Sequence, residues 1–376
     1  MEIIGLIAEY NPFHNGHLYQ LEKIKKLYPD SIIILILNGY FLERGIPSIE
    51  TKQEKTRLAL KYGVDIVLEH PFIFGSNSAD IFASSALELL NCLSVTKLVF
   101  GSESGDKSKL FKSAEAQLHA DFDKQLKSIL DTGVNYPTAL NKATGVDISE
   151  PNDLLGVAYI KSILKNNYKI DIEVIKRTND YHDIKSNDII VSASNIREKI
   201  KNNIDITNYI PEGNLVNINY DLFFTLLKYK IITDDNLDSY LSVDEGLDKR
   251  LKKVINKSNS LDELIKNTKT RRYTYNRLMR MMIHVLVGVK KTDKEIIEHN
   301  EYLRVLGLSN EGQNYINLIK KDLTLPIVSK FTSINSLIKD YEIKAAECYK
   351  LLTGIDVMQF EYQNKPLFKE QKKGNN

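Results

Sequence analysis

A chain of 376 residues, 43% hydrophobic and 27% charged, has room for two domains and the composition of a globular protein. Its net charge of +2 conceals an asymmetry: of 51 Lys+Arg and 49 Asp+Glu, residues 251–376 hold 23 and 14, leaving 28 and 35 for the front, so a polyanion is expected at the rear. The two cysteines, Cys92 and Cys348, have no metal-ligand spacing, the longest aliphatic run, 32–37, cannot cross a bilayer, and no basic-then-apolar leader opens the chain; a disulfide framework, structural zinc and a membrane span are thereby disfavoured and a cytoplasmic protein is expected.

In chain order, apolar β-branched runs at 3–8, 32–37, 65–69, 97–100 and 171–176 read as strands, and the stretches 17–28, 51–62, 77–93 and 108–130 between them as helices. Such alternation with near-continuous apolar strands predicts a parallel sheet covered on both faces, with ligands at the strands' carboxyl ends. The Pro-Gly punctuation in 208–221 marks a boundary. Beyond it the pattern is mostly helical, at 261–267, 271–287 and 294–306, and the polar tail after Lys365 is expected to fray. The fold class is therefore α/β, a Rossmann-like domain over 1–215 followed by a mainly α-helical domain over 216–376.

Two motifs carry chemistry. "HNGH", His14 to His17, stands where the first strand hands over to a helix. The helix N-terminus suits phosphate, Gly16 permits close approach, and two imidazoles three apart can stabilise charge on a leaving pyrophosphate. A metal pair would need a further ligand, and the other five histidines are scattered. "SASNIR", 192–197, opens another helix, where Ser192 and Ser194 can cap and donate to phosphate and Arg197 adds a permanent charge. In the rear, a helix over 271–287 would place Tyr273, Arg277, Arg280 and His284 on one face, beside an apolar face of Leu278, Met281, Met282 and Val285. With Lys269, Arg271 and Arg272 close by, that face is expected to bind RNA by phosphate contacts and base stacking.

The HxGH and SxSxxR pair resembles the nucleotidyltransferase superfamily. "GLIAEYNPFHNGHLYQL", "NGYFLERGIPSI", "PFIFGSNSADIFASSALELLN", "LVFGSESGD", "PNDLLGVAY", "IKRTNDYHD" and "SASNIR" occur in the order seen in the tRNA(Met) cytidine acetate ligase family, and "RRYTYNRLMRMMIHVLVG" is similar to that family's RNA-binding helical region. The resemblance implies a ligase that activates acetate with ATP as acetyladenylate and acetylates N4 of the wobble cytidine of elongator tRNA(Met). ATP, with Mg²⁺, would be a substrate, with no tightly bound prosthetic group; protein carboxylates and the nucleotide alone are both open as holders of the magnesium. Carried over by position, the ATP loop is Ile7, Ala8, Glu9, Tyr10, Asn11, Pro12, Phe13, His14, Asn15, Gly16, His17, Leu18, Tyr19 and Gln20, joined by Gly101, Asn152 and Arg177. His14, His17, Ser194 and Arg197 would be catalytic. Glu9 is also a candidate magnesium ligand. The pattern departs at "GYFLERG", where members commonly show "GNFVQRG": Tyr40 and Glu43 leave the acid pocket open, with Arg44 as the charge that could offset Glu43 and His70 nearby. Two other readings of the same residues are a small-molecule nucleotidyltransferase and a non-catalytic RNA-binding protein on this fold.

Overall fold

The computed structural model describes residues 1–376 except 135, 178–187, 271–272, 329, 332–333, 364 and 370–376. Strands β1 (Ile3–Ala8), β2 (Ile32–Asn38), β3 (Ile66–His70), β4 (Lys97–Ser102) and β5 (Asp171–Lys176) pair in parallel in the order β5-β4-β1-β2-β3. β2 is buried at every position, and its side chains alternate between two cores, as the two-residue period of a strand requires. Ile32, Ile34 and Ile36 join Phe82, Ala86 and Ile160 on one face; Ile33, Leu35 and Leu37 join Leu21, Ile24 and Leu58 on the other.

The helices of the front half are α1 (Asn15–Leu27), α2 (Lys52–Lys61), α3 (Phe72–Gly75), α4 (Ala79–Cys92), α5 (Lys107–Ala116), α6 (Phe122–Leu130), α7 (Tyr136–Thr144), α8 (Pro151–Asn166) and α9 (Ala193–Lys201). The single helix expected over 108–130 is two. Phe122 and Leu126 leave the main core to pack with Ala139 and Leu140 of α7, so the chain turns between Ala116 and Phe122.

The rear half contributes α10 (Tyr220–Thr233), α11 (Leu247–Val254), α12 (Leu261–Thr268), α13 (Tyr275–Val287), α14 (Lys291–Ile296), α15 (Asn310–Ile319), α16 (Leu337–Thr353) and α17 (Met358–Tyr362). The helix expected over 294–306 is also corrected: after Ile296 the chain returns to the sheet as β6 (Leu303–Leu308), antiparallel to β3. β7 (Ile327–Val328) and β8 (Leu367–Phe368) pair with β6. At Gly307 a Cβ would stand 2.7 Å from Thr56 and 2.8 Å from Leu60, so the glycine lets β6 lie against α2. Both the sheet and the rear core cross the division at 215/216, since Tyr40, Phe41, Phe72 and Phe74 are buried among the rear helices.

Candidate active site

β1 lies between β2 and β4, the point where the strand order reverses, and the loops leaving β1 and β4 part there to form a crevice. A cavity of about 610 Å³ occupies it, between the HNGH turn, the end of β4, the start of α8, Arg177 after β5, and the start of α9.

His14 is the N-cap of α1, and its Nδ1 accepts from Gly16 N–H at 3.0 Å. The reciprocal bond runs from His14 N–H to His17 Nδ1 at 3.2 Å, so the two imidazoles form a capping box in which a histidine fills the place of the usual glutamate. Their ring centroids are 3.9 Å apart. A Cβ on Gly16 would stand 2.8 Å from the His14 ring, which is the close approach that residue permits. Burial, reinforced by Arg177 and Arg197, lowers the His14 pKa to about 3; burial and the neighbouring His14 and Arg177 hold His17 well below its ordinary value. Both rings are thus neutral, and because an amide N–H points at each Nδ1, each carries its proton on Nε2. The turn offers two aligned N–H donors without charge.

The charge comes from the other walls. Ser192 caps α9, accepting from Asn195 N–H at 3.2 Å. Arg197 donates to Asn11 O at 2.7 Å and to Ser194 Oγ at 3.0 Å, which ties SASNIR to the HNGH loop. Arg177 lines the cavity, and its buried Nε has no hydrogen-bond partner among the described residues. Gly101 also lines it. A Cβ there would meet Arg177 at 3.5 Å and the Ile175 carbonyl at 4.0 Å, both ordinary contacts, so local packing does not demand this glycine. Asn152 lines the cavity and donates from Nδ2 to Glu103 Oε1 at 2.5 Å, while Glu103 also accepts from the Asp153 amide. A carboxylate from the β4 loop therefore sits on the N-terminus of α8, where the helix dipole favours it.

Of the fourteen loop residues expected at ATP, Ile7, Ala8, Glu9, Tyr10, Asn11, His14, Gly16, His17, Tyr19 and Gln20 line the cavity. Pro12, Phe13, Asn15 and Leu18 do not. Phe13 is buried in the core and its N–H donates to Glu50 Oε2, Leu18 packs against that core, and Asn15 reaches outward to the carbonyls of Ile189 and Asn208.

The end of the cavity near β2 was left open by the sequence. Glu9 Oε1 accepts from Glu43 N–H at 2.7 Å, and Glu43 Oε1 accepts from Arg280 Nη1 at 2.7 Å. Burial pushes the Glu43 carboxyl up while Arg280 draws it down. The partner of Glu43 is thus an arginine 237 residues away. Lys55 Nζ donates to the carbonyls of Glu9, Asn38 and Gly39 and fixes the ends of β1 and β2. Phe82, Phe100, Leu155 and Tyr159 form the apolar wall. His70, bonded to Asn38 and Ser85, is buried beside Phe82 and does not line the cavity. Lys55, Tyr159 and the Glu43–Arg280 pair escaped the sequence reading, although three charged residues in the short α2 segment "KQEK", just before an apolar stretch, were a visible signal for buried polar contacts.

The expected RNA-binding face is rearranged. Thr274 is the N-cap of α13, so Tyr273 precedes the helix. It is 5% exposed, with its hydroxyl on Glu245 and Arg277 over its ring, and has no open face for a base. Arg280 is committed to Glu43, and His284 is buried against Ser76 and Ser242. Arg277, with 40% of its side chain exposed, and Lys269 remain at the surface. Arg271 and Arg272 lie outside the described residues.

A parallel sheet with paired HxGH imidazoles and an arginine-bearing helix across its switch point is the site of a nucleotidyltransferase, and the family model for HIGH nucleotidyl transferases matches residues 1–365. Curated tRNA(Met) cytidine acetate ligases are 36% identical in Geobacillus sp. (98% of this chain, 100% of the relative) and 34% identical in Bacillus subtilis (93% and 92%). Crystal structures of Thermotoga maritima TmcAL superpose with TM-scores of 0.87 for the apo form (26% identity, 99% and 100% covered) and 0.85 for the complex with alpha-thio ATP (27%, 98% and 100%). The chain belongs to the tRNA(Met) cytidine acetate ligase family.

Proposed function

We infer that this protein is an ATP-dependent ligase that activates acetate as acetyladenylate and transfers the acetyl group to N4 of the wobble cytidine of elongator tRNA(Met). The observation that carries the reading is the cavity itself, whose lining joins His14 and His17, each with Nδ1 accepting a backbone amide, to Arg177 and Arg197 at the switch point. The ATP-analogue complex of the Thermotoga relative supports the nucleotide half.

Four polar side chains divide the work. Arg197 and Arg177 draw the triphosphate in, with the unpartnered Arg177 Nε gaining an acceptor. An acetate oxygen attacks the α-phosphorus, pyrophosphate leaves, and the His14 and His17 N–H groups stabilise the charge that gathers on it. Entry of the phosphates raises the imidazole pKa values, so the neutral pair can become charged as the anion arrives. The cytidine amine then attacks the acyl carbon and AMP leaves. No step requires a covalent bond to the protein, so positioning and charge supply the rate. No three His, Cys, Asp or Glu side chains gather as a metal site among the described residues. Magnesium would arrive with the triphosphate and neutralise part of its charge, with Glu9, one of two carboxylates in the cavity lining, as a candidate ligand.

We assign activation to residues 1–215 and RNA binding to the helices of 216–376, with β6–β8 serving the sheet. Among the described residues no helix is long and apolar enough to cross a membrane, and the cytoplasm is the proposed compartment. The test combines purified protein, ATP, radiolabelled acetate and an unmodified elongator tRNA(Met) transcript, followed by nucleoside analysis. ATP-dependent label in N4-acetylcytidine is the expected result. Acetate-dependent AMP release without label in RNA would overturn the acceptor, and neither product would overturn the function.

A further inference from the structure

With Tyr273 closed off, the base-stacking surface must lie elsewhere if the acceptor base is to reach the cavity. α10 and α13 pack against each other, and the first turn of α13 reaches the cavity. Asn276 of α13 lines the cavity, and Tyr275 before it leaves 43% of its surface exposed; Tyr220, which opens α10, leaves 46%. The rings are held rather than loose. Tyr275 Oη donates to Asp262 Oδ1 at 3.1 Å, and the Asp262 charge reaches both phenols, with Arg197 of the cavity also within reach of Tyr220. One exposed tyrosine is ordinary on a protein surface. Two exposed tyrosines that open helices packed on each other, one tethered at its far end and next in sequence to a cavity-lining residue, supply the aromatic face that a single-strand stacking site needs.

We propose that Tyr275, with Tyr220 beside it, is the platform on which the unpaired acceptor base stacks at the cavity mouth, its exocyclic amine turned toward the acyl adenylate. This rests on the RNA-acetylation reading above. Stacking presents the amine edge-on while the ring is covered, so nitrogen attacks the acyl carbon, the C–O bond to AMP breaks, and the amine proton leaves from the uncovered edge. Stacking alone tolerates any base; selection of the base would come from the cavity beyond.

The experiment uses the full chain and a tRNA transcript with a fluorescent cytidine analogue at the acceptor position. Three readouts are taken: quenching of the analogue on binding, KM for unlabelled transcript, and acetate-dependent ATP–pyrophosphate exchange, which needs no RNA and reports an intact fold. Tyr275→Ala should raise the KM for RNA roughly 5- to 150-fold, the range for loss of one stacked base, and abolish the quench while exchange persists. Tyr275→Trp should keep both RNA readouts near wild type, and Tyr220→Ala should shift them in the same direction as Tyr275→Ala by less. An unchanged quench and KM in Tyr275→Ala would overturn the proposal. So would equal loss in the Trp variant, or exchange falling in step with RNA binding. If the wild-type protein supports exchange but never transfers to RNA, the functional reading fails, a result distinguishable from an unaffected Tyr275→Ala in a transferring enzyme.

Discussion

The capping role of His17 and the catalytic role proposed for it can be separated by a pair of substitutions. Its Nδ1 accepts the His14 amide in the capping box, and the residue lines the cavity. Loss of an N-terminal cap costs about 1 kcal/mol of stability, and loss of one preorganised donor costs about 3 kcal/mol in the barrier, roughly 150-fold in rate. His17→Ala should show both. His17→Gln should recover the stability, because glutamine at this third helical position closes a capping box with its carbonyl oxygen, but its shorter side chain leaves the Nε2 position empty. Urea denaturation reads the first quantity and acetate-dependent ATP–pyrophosphate exchange the second. If exchange in His17→Gln returns to within a few-fold of wild type together with stability, the histidine is a cap and not a charge stabiliser, and the catalytic assignment falls.

Three further outcomes test other parts of the structure. Arg304→Met should cost about 3–5 kcal/mol in urea denaturation, because Glu69 and Glu361, fully buried and each bonded to Arg304, would share Lys52 alone with Glu342; a change under 1 kcal/mol would mean the cluster relaxes freely. Gly45→Ala should cost about 2 kcal/mol or more and weaken RNA transfer, since Gly45 has φ +75° and a Cβ would stand 2.3 Å from the Arg280 backbone nitrogen; a wild-type melting curve would refute that packing. Burial lowers the His70 pKa to about 3, so the unfolded chain binds a proton below pH 6.5 that the folded chain does not, and stability is kept above that pH and lost below it. Between pH 7 and pH 5 this costs about 2 kcal/mol, and His70→Asn should lose that part of the acid sensitivity, read as a flatter pH dependence of the urea midpoint.

What the sequence made legible follows from how local its signals are. β1 through β4 are largely buried and are written around short apolar runs, whereas β5, "DIEVIK", lies half-exposed at the sheet edge and shows itself by alternation. β6 is not legible, because "LRVLGL" follows a charged helical stretch and its pairing with β3 spans more than 200 residues. The HNGH turn and SASNIR were readable as short motifs, and their side chains meet in one cavity. The rear helix shows the limit. A helix starting at 271 put Tyr273, Arg280 and His284 on one face, and for Arg280 and His284 that phase is right, but the face points inward to Glu43 and Ser76. The Thr274 cap was visible in "YTYNR" and would have moved the start to Tyr275, which turns the exposed aromatic from Tyr273 to Tyr275. Periodicity gives the phase of a helix; only packing says which face is the surface.

The same inward face ties the cavity to the rear helices. Glu9 stands in the activation cavity, holds the Glu43 amide, and through the Glu43 carboxylate reaches Arg280 on α13. Gly45 brings the intervening loop against the α13 backbone, and Lys52, Glu69, Glu342, Glu361 and Arg304 join the sheet to α16 and α17 below it. Buried charge pairs add little net stability, but they tolerate no slippage, because any shift strands an unpaired charge in the core. The first turn of α13 is thereby fixed in register with the HNGH turn. If the acceptor base stacks there as proposed, it would meet the acyl group at a distance set by the protein's core and not by a flexible linker, which is the positioning that an uncatalysed encounter between amine and mixed anhydride lacks.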